Sequence, residues 1–135
     1  MTEQPKNILL VDDDEATNFL NEMILDEMGC AKSIHIATDG QKALNHLNAH
    51  FNDVDLIMLD INMPRMNGWE FLEKYKSLDK SHRAKIVIIM VTTSFNHDDK
   101  EKAENMAEIS GFLNKPLTKE KMSALLEHYF DDQEV

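Results

Sequence analysis

Three uninterrupted aliphatic runs constrain this chain more than anything else in it: Ile8-Leu9-Leu10-Val11, Leu56-Ile57-Met58-Leu59 and Ile86-Val87-Ile88-Ile89-Met90-Val91. Each is too short for a core helix, and each stops at a polar residue, Asp12, Asp60 or Thr92. A strand with one wet face alternates apolar and polar residues, whereas a continuous run reads as a strand covered on both faces, as in a parallel sheet.

The segments between the runs supply the covering helices. After the first run, Ala16, Phe19, Leu20, Met23 and Ile24 recur at helical spacing, which predicts that they form the apolar face of a helix. Asp14 is placed to cap its start and Gly29 to end it. Ile34 and Ile36 then mark a short strand, and Ala43, Leu44 and Leu47 a second helical face. Phe71, Leu72, Tyr75 and Leu78 mark a third. Ala103, Met106 and Ala107 form only a narrow stripe, so the fourth helix is expected to dock weakly. Gly111-Phe112-Leu113-Asn114 reads as the last strand, and Thr118 can cap a final helix carrying Met122, Leu125, Leu126 and Tyr129. Strict alternation with right-handed crossovers makes the fold class α/β, a parallel sheet between two layers of helices.

The chain has 135 residues, enough for one core, so a single domain over residues 1–135 is expected, with an ordered part from about 6 to 130. Its formal net charge of −11 disfavours nucleic acid and anionic lipid, and no apolar stretch approaches a bilayer span. One cysteine, Cys30, and the lack of an apolar leader fit a reducing cytoplasm.

In a doubly wound sheet the ligand crevice lies beyond the carboxyl ends of the strands. Asp12, Asp13, Asp60, Thr92 and Lys115 fall there: three acids, a hydroxyl and an ammonium. Taken singly, each has a plain structural role, the acids as helix caps and the lysine as a solvated charge. Taken together they suggest chemistry, because crowded carboxylates call for a hard cation such as Mg²⁺. A lone carboxylate can also attack phosphorus to give an acyl phosphate. Asp60 suits that role, whereas the adjacent Asp12 and Asp13 suit a shared cation.

Val11-Asp12-Asp13, Leu59-Asp60-Ile61-Asn62-Met63-Pro64 through Gly68, Val91-Thr92 and Lys115-Pro116 together resemble a response regulator receiver domain of two-component signalling. The resemblance implies a flavodoxin-like (βα)5 fold with strand order 2-1-3-4-5. It implies Asp60 as phosphoacceptor, with Thr92 and Lys115 on the phosphoryl oxygens. Mg²⁺ would be held by Asp12, Asp13, Asp60 and the Asn62 backbone carbonyl. Thr92 and Phe112 would be the switch pair, and the bond before Pro116 would be cis. The implied partners are a sensor histidine kinase or histidine phosphotransfer protein, and a downstream protein or second copy. The latter would meet the fourth helix, fifth strand and fifth helix. The implied output is docking or onward relay by a stand-alone regulator. Thr93 departs from the family's usual small residue, which suggests altered access to Asp60.

Two other classes use similar parts. A haloacid-dehalogenase-like phosphatase also has an aspartate nucleophile, but Asp60-Ile61-Asn62 lacks its second acid. A phosphorylation-independent binding module on this scaffold is the other alternative. His46 and His50 stand four apart on a predicted helix, but no third metal ligand follows from the sequence; His35, His82, His97 and His128 show no catalytic spacing.

Overall fold

The computed structural model describes residues 5–50, 53–78, 86–93 and 96–130. Along them run β1 (Lys6–Val11), α1 (Glu15–Met28), β2 (Ala31–Ala37), α2 (Gly40–His50) and β3 (Leu56–Asp60). They continue with α3 (Gly68–Tyr75), β4 (Val87–Thr92), α4 (His97–Glu104), β5 (Gly111–Asn114) and α5 (Lys119–Phe130). His82, Ser94 and the acidic segment 131–135 lie outside the described residues.

The sheet runs β2-β1-β3-β4-β5, and every neighbouring pair is parallel. The continuous aliphatic runs are explained by the two-residue period of a strand, which sends alternate side chains to opposite faces. Leu9, Val11, Ile57, Leu59, Ile88 and Met90 join one core with the buried residues of α2 and α3. Ile8, Leu10, Leu56, Met58, Ile89 and Val91 join the other with α1 and α5. A polar residue inside these runs would lie in one core or the other.

The caps follow the sequence. The Asp14 side chain accepts from the Thr17 N–H at the start of α1, and Gly29 closes the helix at φ 64°, in the left-handed region that glycine tolerates. The Lys121 N–H donates to Thr118 Oγ1 at the start of α5.

Two helices differ from expectation. The apolar stripe of α1 does not face the core: Phe19, Leu20 and Met23 are exposed at 63%, 56% and 43%, and Ala16 is exposed too. Asn18 and Leu25 are buried instead, with Ile24 and Met28 packed at the edge of the second core. In this rotation Asn18 faces inward, and its Nδ2 donates to the Asp12 carbonyl at 2.8 Å. Helix α4 is shorter than its stripe implies. It ends at Glu104 with Asn105 as cap, and buries only Ala103. Met106 packs on the first core from beyond the helix, and Ala107 is exposed. Asparagine competes for backbone hydrogen bonds and so ends helices readily.

The burial pattern of α1 makes a direct prediction. Leu25→Ala is expected to cost about 2–4 kcal/mol in urea unfolding, as for other buried leucines. Leu20→Ala, on the exposed stripe, is expected to change stability by less than about 1 kcal/mol.

Candidate functional site

The strand order reverses at β1, because the chain leaves it for β2 on one side and returns to β3 on the other. The crevice of such a sheet opens at the carboxyl ends flanking this reversal, and there Asp12 follows β1 and Asp60 ends β3. Carboxylate oxygens of Asp12, Asp13 and Asp60 lie within 4.8 Å of one another. Asp12 and Asp60 are each 5% exposed, while Asp13 is open to solvent.

Backbone bonds beyond the strands hold these groups in place. The Asp12 N–H donates to the Ala37 carbonyl, the Ile61 N–H to that of Val91, and the Lys115 N–H to that of Thr92. Lys115 reaches into the acids from the far strand. Its Nζ lies 2.7 Å from Asp12 Oδ2 and 3.4 Å from Asp60 Oδ1. The Asp12 carboxylate also accepts the Asp14 N–H at 2.9 Å, which fixes its orientation.

Electrostatics follows from this crowding. Burial, and then the Asp12 charge, push the Asp60 carboxyl up to about 6, against the charge and hydrogen bond of Lys115 and a backbone hydrogen bond from Asn62. Burial alone would lower the Lys115 ammonium. The hydrogen bond and charge of Asp12, followed by Asp60, outweigh it and hold Lys115 above the ordinary lysine value.

The remaining residues singled out in the sequence surround this centre. Thr92 is buried at the end of β4. Phe112 is half-buried on β5, paired in register with Met90 and packed against the first core. Asn62 is exposed in the loop after β3, and the Lys115–Pro116 peptide is cis. Thr93 is exposed and shares a groove wall with Lys115.

Three supports were not foreseen. Asn18 ties α1 to the backbone of Asp12, and the sequence gives no sign of it. Asn67 and Glu70 form a reciprocal capping box that starts α3, a motif whose spacing was readable. Gly68 packs so closely that a β-carbon there would lie 2.8 Å from the Asp60 carbonyl oxygen. Glycine is therefore required for the loop to close over the end of β3.

The raised Asp60 pKa carries a stability consequence. Its value of about 6 in the folded chain exceeds the ordinary 3.8, so ionisation costs the fold stability as pH rises through 6. In chelator, Asp60→Asn is expected to exceed the parent by about 1–2 kcal/mol at pH 8 in urea unfolding. The difference is expected to vanish below the ordinary carboxylate range, where both states of the parent are protonated.

Comparison with known proteins places the chain. The response regulator receiver domain family matches residues 8–127. The two-component response regulator ARR22 of Arabidopsis thaliana is 31% identical over 125 residues, 93% of this chain and 84% of that protein. A two-component response regulator from Cytophaga hutchinsonii superposes with a TM-score of 0.85 at 30% identity, covering 93% of this chain and 96% of that one. The chemotaxis protein CheY4 of Vibrio cholerae does so with a TM-score of 0.79 at 27% identity, covering 92% and 98%. Sequence and fold agree along nearly the whole chain, which therefore belongs to the response regulator receiver domains, the signalling switches of two-component systems.

Proposed function

We propose that this receiver domain takes a phosphoryl group onto Asp60 from a phosphohistidine of a sensor kinase or phosphotransfer protein, and that the modification changes which protein it binds. The supporting observation is the convergence of Asp12, Asp13, Asp60 and Lys115 at the strand ends. In the transfer an Asp60 carboxylate oxygen attacks phosphorus as the phosphorus–nitrogen bond of the donor breaks. The electron pair stays with the imidazole nitrogen, which takes up a proton. With its pKa at about 6, Asp60 is mostly ionised at neutral pH and so remains a nucleophile.

Lys115 and Thr92 serve the new group. The ammonium neutralises charge on the phosphoryl oxygens, and the Thr92 hydroxyl donates a hydrogen bond to one of them. Asp12, Asp13, Asp60 and the Asn62 carbonyl are an all-oxygen donor set suited to Mg²⁺, which when bound would offset the carboxylate and phosphoryl charge. The chain acts as a switch and not as an enzyme turning over a separate substrate.

Two surfaces suit protein partners. Exposed Leu20 and Met23 border a groove of about 400 Å³ whose wall includes Thr93, Lys115 and Pro116. This groove adjoins the acceptor site, so we assign it to the phosphodonor. A second groove of about 540 Å³ between β5 and α5 is lined by Phe112, Leu113, Leu125 and Tyr129. With α4 it forms the face we assign to the downstream protein or a second copy, switched through Thr92 and Phe112. Among the described residues no helix is long and apolar enough to cross a membrane, and the reading places the relay in the cytoplasm.

Incubation with acetyl phosphate and Mg²⁺ is expected to add one phosphoryl group by intact mass. Asp60→Asn and a chelator are each expected to abolish the gain, and a parent chain left unmodified would refute the proposal. Thr93 is expected to govern how long the acyl phosphate lasts, because it is exposed and lines the same groove as Lys115. Thr93→Ala should change the first-order loss rate in chelator by roughly twofold or more, a barrier change of about 0.4 kcal/mol. Equal rates would remove Thr93 from the account.

A further inference from the structure

Away from the acidic centre, at the edge of the sheet, three imidazoles come together. His35 on β2 stacks on His46 of α2, with ring centroids 3.8 Å apart and planes 11° apart. His50, one helical turn further on, has its ring centroid 4.8 Å from that of His46. Its Nδ1 lies 3.8 Å from Asp53 Oδ2. A strand, a helix and the loop after it thus contribute to one row that the phosphoryl chemistry does not use.

We infer that His35, His46 and His50 form a second cation site, selective for a borderline transition ion such as Zn²⁺, Ni²⁺ or Cu²⁺. Imidazole nitrogen favours these ions, whereas the all-carboxylate centre at Asp60 favours Mg²⁺, so the two sites are chemically separate. His46 and His50 have the spacing at which two side chains of a helix meet on one face. His35 adds the third donor from the neighbouring strand. Asp53 Oδ2, 3.8 Å from His50 Nδ1, would need to move closer to accept from Nδ1–H, and doing so would leave Nε2 as the metal ligand.

The rings stack and do not yet converge; among the described residues the acidic group is the one whose three ligand atoms already lie within 4.8 Å. Binding would require the rings to leave their stack and turn toward one ion, and the exposure of His35 and His50 leaves both side chains room to rotate. A metal binds the neutral form of imidazole. An ion held here would fasten α2 to the edge strand β2.

The test titrates the full chain with Zn²⁺ in excess Mg²⁺, read by calorimetry and by the imidazole resonances. Saturable binding is expected to shift His35, His46 and His50 and to leave His97 and His128 unmoved. It should also raise the melting temperature. His46→Ala is expected to weaken binding by roughly tenfold or more, and so is His50→Ala, whose exposed position spares the fold. Asp60→Asn should bind Zn²⁺ as the parent does. Absence of saturation, binding unaffected in His50→Ala, or binding lost in Asp60→Asn would overturn the assignment.

Discussion

Crowded negative charge at the carboxyl ends of β1 and β3 is the constraint around which the molecule is arranged. Carboxylates about 4 Å apart repel by about 4 kcal/mol per pair at an effective dielectric constant near 20. Here three of them share a space of 4.8 Å, two of them buried. Lys115 at 2.7 Å from Asp12 and 3.4 Å from Asp60 offsets one charge formally and leaves two. That remainder matches a divalent cation in size and sign. It also suits the proposed transfer of an electrophilic phosphoryl group. In that proposal, acyl phosphate formation at Asp60 would remove its own carboxylate charge from the cluster while placing the phosphoryl oxygens near the ammonium.

Such a cluster needs a frame that cannot relax away from it. The sheet supplies this through backbone bonds that continue past the strand ends at Asp12, Ile61 and Lys115. Side chains alone would not suffice, since a long lysine has many rotamers and an isolated carboxylate would turn toward water. Helix α1 reinforces the frame from one side through Asn18 on the Asp12 carbonyl, and the Gly68 turn does so from another. Each of these supports acts on backbone and not on a carboxylate group, so the carboxylates remain available to chemistry.

The legibility of this arrangement in the sequence was uneven, for physical reasons. The strands were readable because Ile8–Val11, Leu56–Leu59 and Ile86–Val91 must be apolar on both faces, a demand that leaves little freedom of composition. The site residues were readable because a parallel sheet gathers its strand ends at one edge, so Asp12, Asp60, Thr92 and Lys115 could be grouped before any contact was known. The face of α1 was not readable. Hydrophobic periodicity cannot distinguish a stripe left open to solvent from one that packs inward, and Phe19, Leu20 and Met23 are exposed. The buried Asn18 carries no apolar signal at all. Nor could His35 be joined to His46, because their meeting depends on how β2 and α2 are set against each other, not on spacing along the chain.

The weak docking of α4 gains meaning from its neighbours. Only Ala103 of this helix is buried, and Lys102 reaches over the ring of Trp69 on α3 at 5.2 Å from its centroid. A cation–π contact at a partly exposed site contributes about 0.5–1 kcal/mol, far less than a buried leucine. The segment beside β4 and β5 is therefore held by small terms. A phosphoryl group at Asp60 can shift only states that it distinguishes, and inverting a population from 1:99 to 99:1 takes about 5.5 kcal/mol. A rigid α4 would raise that requirement, whereas one held by a single alanine and a surface cation lowers it. In the proposed switch Thr92 is the residue that reads the phosphoryl group, two positions along β4 from Met90, the register partner of Phe112. Motion at the strand end thus has a short path to the most weakly held helix. The composition of α4, poor in apolar residues and rich in charge, is what keeps the far end of that path movable.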